Sequence, residues 1–298
     1  MKPLKIIYAT DLHGNTQKYD KIFAIVNKHK ADYVINGADF MPKGGNMFLA
    51  QKHWVHGYFK IFSKRWRDGL HKSKYLFMSG NDDLACLDGD LKDWSDDFIY
   101  MVNDTLYQHN SPHSKIDALF GCFNMVPDYP FRLKDRCHRD LKTDEFLKFQ
   151  YGTGVTSINA PRTTPYNHGT YEYESWLNEY RLRPSMEEIF ELSPFTDCLL
   201  NNRPSISVLV CHAPPYNSGL GVLLSGEDVG SKAVKDYIQQ YQPTISLHGH
   251  IHESYKMTGQ WKTNIGDTVA INQGPDHYVL ITINSAKDIE YEVYPFFK

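Results

Sequence analysis

The chain has no run of about eighteen apolar residues, the length a helix needs to cross a bilayer, so no transmembrane helix is expected. It also lacks a surplus of either charge. Its 32 Lys and Arg against 35 Asp and Glu leave a formal net charge of −3, too little to draw the whole molecule to nucleic acid or to an anionic membrane. Cysteine is sparse and odd in number. Cys86, Cys122, Cys137, Cys198 and Cys211 show no C-x-x-C spacing, which argues for reduced thiols rather than a disulfide framework. Met1-Lys2-Pro3 runs straight into a strand-like segment with no leader before it, so a cytoplasmic protein is expected. Internal repeats and low-complexity tracts are absent too.

What is present is an ordinary globular composition: 298 residues, 41% hydrophobic and 14% aromatic. That suffices for one domain spanning 1–298, with an insertion or lid at about 140–195. A local basic stretch runs from Lys60 to Lys74, through Lys64, Arg65, Arg67 and Lys72. It reads as a solvated helix face, the sharper alternative being a surface that draws anionic substrate.

The first eighty residues read as β-α-β-α-β. Lys5–Ala9, Tyr33–Ile35 and Tyr75–Met78 are strand-like. Thr16 can cap a helix carrying Ile22, Ile25, Val26 and His29 at 3- and 4-residue steps, and a longer helix is expected over Asn46–Asp68. Further on, Phe98–Val102 and Ala118–Phe123 look like strands, and Thr143–Phe149 and Glu172–Leu192 look helical. Gly152–Tyr173, polar and rich in Tyr, reads as a long loop or lid. The second half returns to strands at Ile206–Val210 and Thr244–Leu247. Between them Ser225 and Asp228 resemble a capping box before a helix to Gln240. Val269–Ile271, Tyr278–Ile283 and Ile289–Tyr294 form a strand-rich tail, which favours two packed sheets over one doubly wound sheet.

Five short motifs follow these strands: Asp11-Leu12-His13, Gly37-Ala38-Asp39, Gly80-Asn81-Asp82-Asp83, Cys211-His212-Ala213-Pro214 and Gly249-His250-Ile251-His252. In α/β sheets ligands bind at the carboxyl ends of strands, so these loops should converge. Asp11 and His13, like His250 and His252, stand two apart, and in extended backbone such pairs point the same way toward one cation. Imidazole with carboxylate suits Mn, Fe or Zn better than Mg or Ca, and Asn81 adds a neutral oxygen.

In kind and order these motifs resemble the calcineurin-like metallophosphoesterase superfamily, with its D-x-H, G-D, G-N-H-D or G-N-x-D, later H and G-H-x-H. The resemblance covers roughly 1–83 and 205–280. Asn272-Gln273-Gly274 stands near the family's usual N-P-G. The resemblance implies a four-layer α/β/β/α sandwich of two packed mixed sheets, with two divalent metal ions at the sheet edge. It assigns Asp11, His13 and His252 to the first metal, and Asn81, His212 and His250 to the second. Asp39 bridges them, and a bridging hydroxide attacks phosphorus in line.

Two positions depart from the family pattern. Ala38 replaces the glycine before Asp39, and Asp82 stands where a histidine often contacts phosphate and protonates the leaving group. Beside two dications Asp82 would be a poor general acid, and His53 and His56 are weak candidates for that role; Asp83 reads as a structural residue capping the turn after the strand, and His277 as a loop residue. The expectation is a metal-dependent phosphoesterase with catalytic Asp39, Asn81, His212 and Asp82, favouring diesters. Its substrate would be a small, possibly nucleotide-like phosphoester, with no nucleic-acid or membrane partner. The alternative is a catalytically weak metal-binding interaction scaffold on the same fold.

Overall fold

Two six-stranded mixed sheets face each other, and each is built on four parallel strands. The computed structural model describes residues 2–69, 73–109, 116–129, 133–144 and 182–297. In the first sheet β1 (Leu4–Ala9), β2 (Tyr33–Asn36), β3 (Lys74–Phe77) and β4 (Ile99–Met101) run parallel. The tail returns to its other edge, where β13 (His277–Ser285) pairs antiparallel with β1 and β14 (Asp288–Pro295) with β13. In the second sheet β6 (Ala118–Phe123), β9 (Ile206–Cys211), β10 (Ile245–Leu247) and β12 (Thr268–Ile271) are parallel. They are flanked by antiparallel β5 (Thr105–Gln108) and β11 (Lys262–Ile265). A small ribbon pairs β7 (Val126–Pro127) with β8 (Cys137–His138).

The side-chain alternation of the strands builds the layers. Ile6, Tyr8, Ile35 and Leu76 face inward against Phe120, Val208, Val210, Leu247 and Ile271, all fully buried. The alternate residues Ile7, Val34, Tyr75 and Phe77 face a helical layer. That layer holds α1 (Thr16–His29), then one continuous rod: α2 (Met47–Trp54), a π turn at Val55–Phe59, and α3 (Lys60–Asp68). The rod fills the span predicted as one helix, but the π turn was not foreseen. Trp54, Phe59, Phe62 and Trp66 all pack toward Tyr19, Phe40, Tyr75 or Phe77. After the 3₁₀ turn at Ala85–Leu87 comes α4 (Asp88–Asp93). On the outer side of the second sheet, α5 (Met186–Glu191), α6 (Pro194–Asn201) and α7 (Lys232–Tyr241) bury Met186, Phe190, Phe195 and Tyr237. The short α8 (Ser254–Thr258) follows the last motif. The architecture is the four-layer α/β/β/α sandwich.

Several local expectations are corrected. Asn15, not Thr16, caps α1, its side chain accepting from Lys18 N. Ser225 and Asp228 cap no helix; they accept from Glu227 N and Gly230 N in a turn, and Ser231 caps α7 through Val234 N. Pro184 and Ser185 interrupt the segment read as Glu172–Leu192, and α5 starts after a capping box of Ser185 and Glu188. Thr143 and Asp144 lie in a turn. The rest of that predicted helix, the Gly152–Tyr173 loop and most of the 140–195 insertion lie outside the described residues. On the basic stretch, Arg65 pairs with Asp20 and Arg67 with Asp96, as a solvated face should. All five cysteines are free, and no described helix is long and apolar enough to cross a membrane.

The Ser231 hydroxyl also donates to Asp140 Oδ1 at 2.5 Å, tying α7 to the loop after β8. Ser231→Ala is expected to destabilise the fold by about 1–2 kcal/mol, the usual range for a lost N-cap, read as a lower urea midpoint at unchanged m-value.

Candidate metal centre

The motif loops leave the carboxyl ends of parallel strands on both sheets and meet at one edge. Asp11 and His13 follow β1, Asp39 follows β2, and Asn81 follows β3. From the second sheet His212 follows β9, and His250 and His252 follow β10. Bonds across the seam hold the two sets together. Tyr8 donates its hydroxyl to His248 O at 2.8 Å, and His212 Nδ1 donates to Gly37 O at 3.0 Å.

Two donor groups result. Ligand-type atoms of Asp11, His13, Asp39 and His252 lie within 4.8 Å of one another, and so do those of Asp39, His212 and His250. Asp39 belongs to both. His252 Nε2 is 3.0 Å from Asp11 Oδ1, and His212 Nε2 is 3.2 Å from Asp39 Oδ2. The Nε2 atoms of His13 and His252 face each other at 3.1 Å. Asn81 lines the same cleft, of about 200 Å³, beside Asp39 and His250; its buried Oδ1 accepts no hydrogen bond.

The backbone that sets these directions is not extended. Asp11, His13, Asp39 and His250 have φ of 53°, 43°, 49° and 69°, so the i, i+2 pairs are aimed by left-handed turns and not by strand geometry. Ala38 has φ 89° and is fully buried, a conformation that suits glycine. The residue in the family's glycine position therefore stores strain of about 1–3 kcal/mol at the site. Two glycines leave room for the carboxylates. A Cβ on Gly249 would lie 2.5 Å from Asp11 Oδ2, and one on Gly80 would lie 2.6 Å from Asp39 N and overlap its Oδ1. Gly80→Ala is expected to leave a folded protein whose metal affinity falls about 10–100-fold, the scale seen when a ligand's orientation is disturbed. Isothermal titration with Mn²⁺ measures it, and an unchanged affinity contradicts the close fit.

Charge follows from burial and proximity. Asp11 and Asp39 are each 1% exposed. Burial pushes Asp11 up, but His252 and His212 outweigh it and hold the carboxyl at about 2. Burial likewise opposes ionisation of Asp39, and His212 and His13 keep it below the usual carboxylate range. Burial lowers His212, yet Asp39 and Asp11 lift it to about 9, and His252 rises against burial through Asp11. His13 and His250 fall by burial to about 4 and about 3. The carboxylates thus favour a proton on His212 and His252, while burial disfavours one on His13 and His250.

Around this cluster stand residues with different duties. Asp82 is raised to about 6 by burial and by Asp39, against the pull of Lys43, whose Nζ lies 3.1 Å from Asp82 Oδ2. Asp83 is fully buried, is not among the residues lining the cleft, and accepts from Phe40 N, Met41 N and Gly80 N at 3.1, 2.9 and 2.8 Å. It clamps the loop of Asp39 to the loop of Asn81. His53 is exposed, and His56 pairs with Asp90 against Trp94, so neither lines the cleft. His277 packs edge-on against Tyr255 in a neighbouring cavity. Sequence reading passed over Thr10, 2.8 Å from Asp11 Oδ2, and Lys43 beside Asp82. It also missed His248, held by Ser246 and by the carbonyls of Cys211 and Ala213, and Tyr129, stacked on His250. Only the positions of Thr10 and His248 beside motif residues offered a signal.

A four-layer sandwich with Asp and His donors gathered at its strand ends defines a metallophosphoesterase. The chain belongs to the calcineurin-like phosphoesterase family, whose family model matches residues 4–254. No curated protein matches it. Among solved structures, TT1561 of Thermus thermophilus is 14% identical with a TM-score of 0.57, the match covering 99% of this chain and 100% of that one. A proposed 5′-nucleotidase from Staphylococcus aureus, solved with alpha-ketoglutarate, is 11% identical with a TM-score of 0.60, covering 100% of this chain and 55% of that one. GAP50, the anchor in the inner membrane complex of Plasmodium, is 11% identical with a TM-score of 0.50, covering 99% and 89%. At these identities the likeness is one of fold. Members of the family typically bind two divalent metals, and the Asp and His groups here could hold them.

Proposed function

We propose that the chain is a binuclear-metal phosphoester hydrolase that favours diesters. Asp11, His13 and His252 hold one cation, Asn81, His212 and His250 hold the other, and Asp39 serves both. The observation that carries this reading is the pair of donor groups joined through the buried Asp39, one wholly buried and the other with half-buried His13 and His252. The donor chemistry fits a cation pair: two Nε2 atoms face each other at 3.1 Å, and the buried Asn81 Oδ1 makes no hydrogen bond. Nitrogen with oxygen donors suits Mn, Fe or Zn. Bound cations supply an activated water and neutralise charge on the phosphoryl oxygens. The chain's own groups orient the rest. The Gly37 carbonyl holds His212 by its Nδ1–H, so Nε2 is the atom turned to the site. Asp82, paired with Lys43, places a carboxylate at the cleft wall. Asp82 in the position of the family's frequent histidine leaves no imidazolium there to meet a dianionic phosphoryl group, and this supports the diester preference. The free thiols support a cytoplasmic setting.

With Mn²⁺ added, bis-p-nitrophenyl phosphate is expected to turn over faster than p-nitrophenyl phosphate, and chelation to stop both. Turnover of neither by metal-loaded protein would sink the enzyme reading; faster monoester turnover would sink the diester preference. Metal and proton compete for His212, whose proton is held up to about pH 9, so metal uptake releases it. Apparent affinity is therefore expected to rise about ten-fold per pH unit for each proton released between pH 6 and 8. A pH-independent affinity contradicts this.

A further inference from the structure

Beyond His252, next to the metal cleft, lies a second cavity of about 350 Å³ whose walls include His252, Tyr255, Lys256, Gln273, Pro275 and His277. His252 is a wall of both spaces. The volume is in the range of small-ligand pockets, about 300–1,000 Å³.

The feature that needs an account is Gln273. Its side chain is fully buried, and neither Oε1 nor Nε2 makes a hydrogen bond. Buried amides almost always find partners, because dehydration without replacement is costly. Looseness of the loop does not explain it. On one side Asn272 shares its amide hydrogens among Leu220 O, Gly249 O and Ile251 O at 2.9, 3.1 and 3.3 Å, and its Oδ1 accepts from Gly274 N at 3.1 Å. On the other, Lys18 Nζ donates to Pro275 O at 2.6 Å and pairs with Asp276 at 3.1 Å. The backbone on both sides holds Gln273, a residue of the cavity lining, in place, with its amide closed off behind that lining until a ligand or a small side-chain shift meets it.

A planar carboxamide presents one donor and one acceptor side by side. Its complement is a planar edge with an acceptor beside a donor, which a nucleobase carries. The surroundings suit such a ring. Tyr255 and His277, with centroids 5.0 Å apart and planes at 67°, offer aromatic surface for stacking. Lys256 is exposed and has no acidic partner among the described residues, so its ammonium is available to a sugar hydroxyl or a further phosphate.

We propose that this cavity is a nucleobase subsite. The phosphorus of a nucleotide ester sits in the metal cleft, and its base lies against Tyr255 and His277 with its polar edge on Gln273. The placement of phosphorus rests on the phosphoesterase reading, but recognition of the base does not require hydrolysis.

The test is therefore binding. Adenosine, cytidine, guanosine and uridine 5′-monophosphates, and ribose 5-phosphate, are titrated calorimetrically into the Mn²⁺-loaded protein. At least one nucleotide is expected to bind about ten-fold or more tightly than ribose 5-phosphate, the scale of one stacked and hydrogen-bonded base. In Gln273→Leu and in Tyr255→Leu that preference should shrink to about three-fold or less. Tyr255 is only half-buried, so its variant remains informative where the buried substitution fails to fold. Equal affinity of all five probes for the unaltered protein overturns the proposal, as does a base preference that survives in the folded variants. A base preference without turnover of any ester overturns the phosphoesterase reading alone.

Discussion

Asp39→Asn is expected to lower metal-dependent hydrolysis by roughly a thousand-fold or more while leaving the fold intact. Asp39 is the one carboxylate in both donor groups, so the change strikes both cations at once. Its Oδ1 accepts from Asp82 N at 2.8 Å, and its Oδ2 lies 3.2 Å from His212 Nε2. An amide of the same size can keep the first contact only by turning its NH₂ toward the imidazole and the cation sites. Charge, one donor oxygen and the direction of a hydrogen bond all change together, with no loss of packing volume. Metal content per chain is expected to fall below two in the same variant, and thermal unfolding should show a single transition near the parent's. A variant that retains both ions and more than a tenth of the activity would refute the shared role.

Asp83→Ala is expected to cost about 4 kcal/mol of stability and to weaken metal binding as well. Three backbone N–H groups, from Phe40, Met41 and Gly80, converge on this buried carboxyl. Burial, and then the neighbouring Asp39, push the Asp83 carboxyl well above the usual carboxylate range, so the values for neutral partners apply: about 0.5–1.5 kcal/mol for each bond, and about 1–3 kcal/mol for each buried donor left without a partner. Water entering the space offsets part of the sum, which is why the expected loss is below the total for three donors left without partners. The loops of Asp39 and Asn81 would then move independently. Urea unfolding measures the first effect and Mn²⁺ titration the second. Stability within about 1 kcal/mol of the parent would show that the clamp is not needed.

The sheets were readable because β1, β2, β6 and β9 are short, nearly continuous apolar runs, as parallel strands buried on both faces must be. Edge strands β5 and β11 escaped for the converse reason: Thr105–Gln108 and Lys262–Asn264 are half-exposed and mix polar with apolar residues. The spacing of Ser225 and Asp228 cannot distinguish a helix cap from a turn that closes on itself, and Ser231 offered no companion acid. At the site, residue types and motif order were visible, but the geometry was not. Spacing of two suggested extended backbone, whereas Asp11, His13 and His250 lie in left-handed turns that only the crossing of two sheets imposes. Asp83 was legible as a turn cap, which its bond from Gly80 N bears out, but its reach to Phe40 N and Met41 N of the neighbouring loop was not, because main-chain partners leave no mark in the side-chain pattern.

The pairing of β13 with β1 has a consequence for assembly. The N-terminal strand carries the first motif, yet its outer neighbour comes from residues 277–285. Any fragment ending before that point exposes a hydrogen-bonding rim along Leu4–Tyr8, the kind of edge that recruits foreign strands. Contacts this distant in sequence close slowly. Nascent or truncated chains should therefore depend on chaperones until the C-terminal hairpin docks.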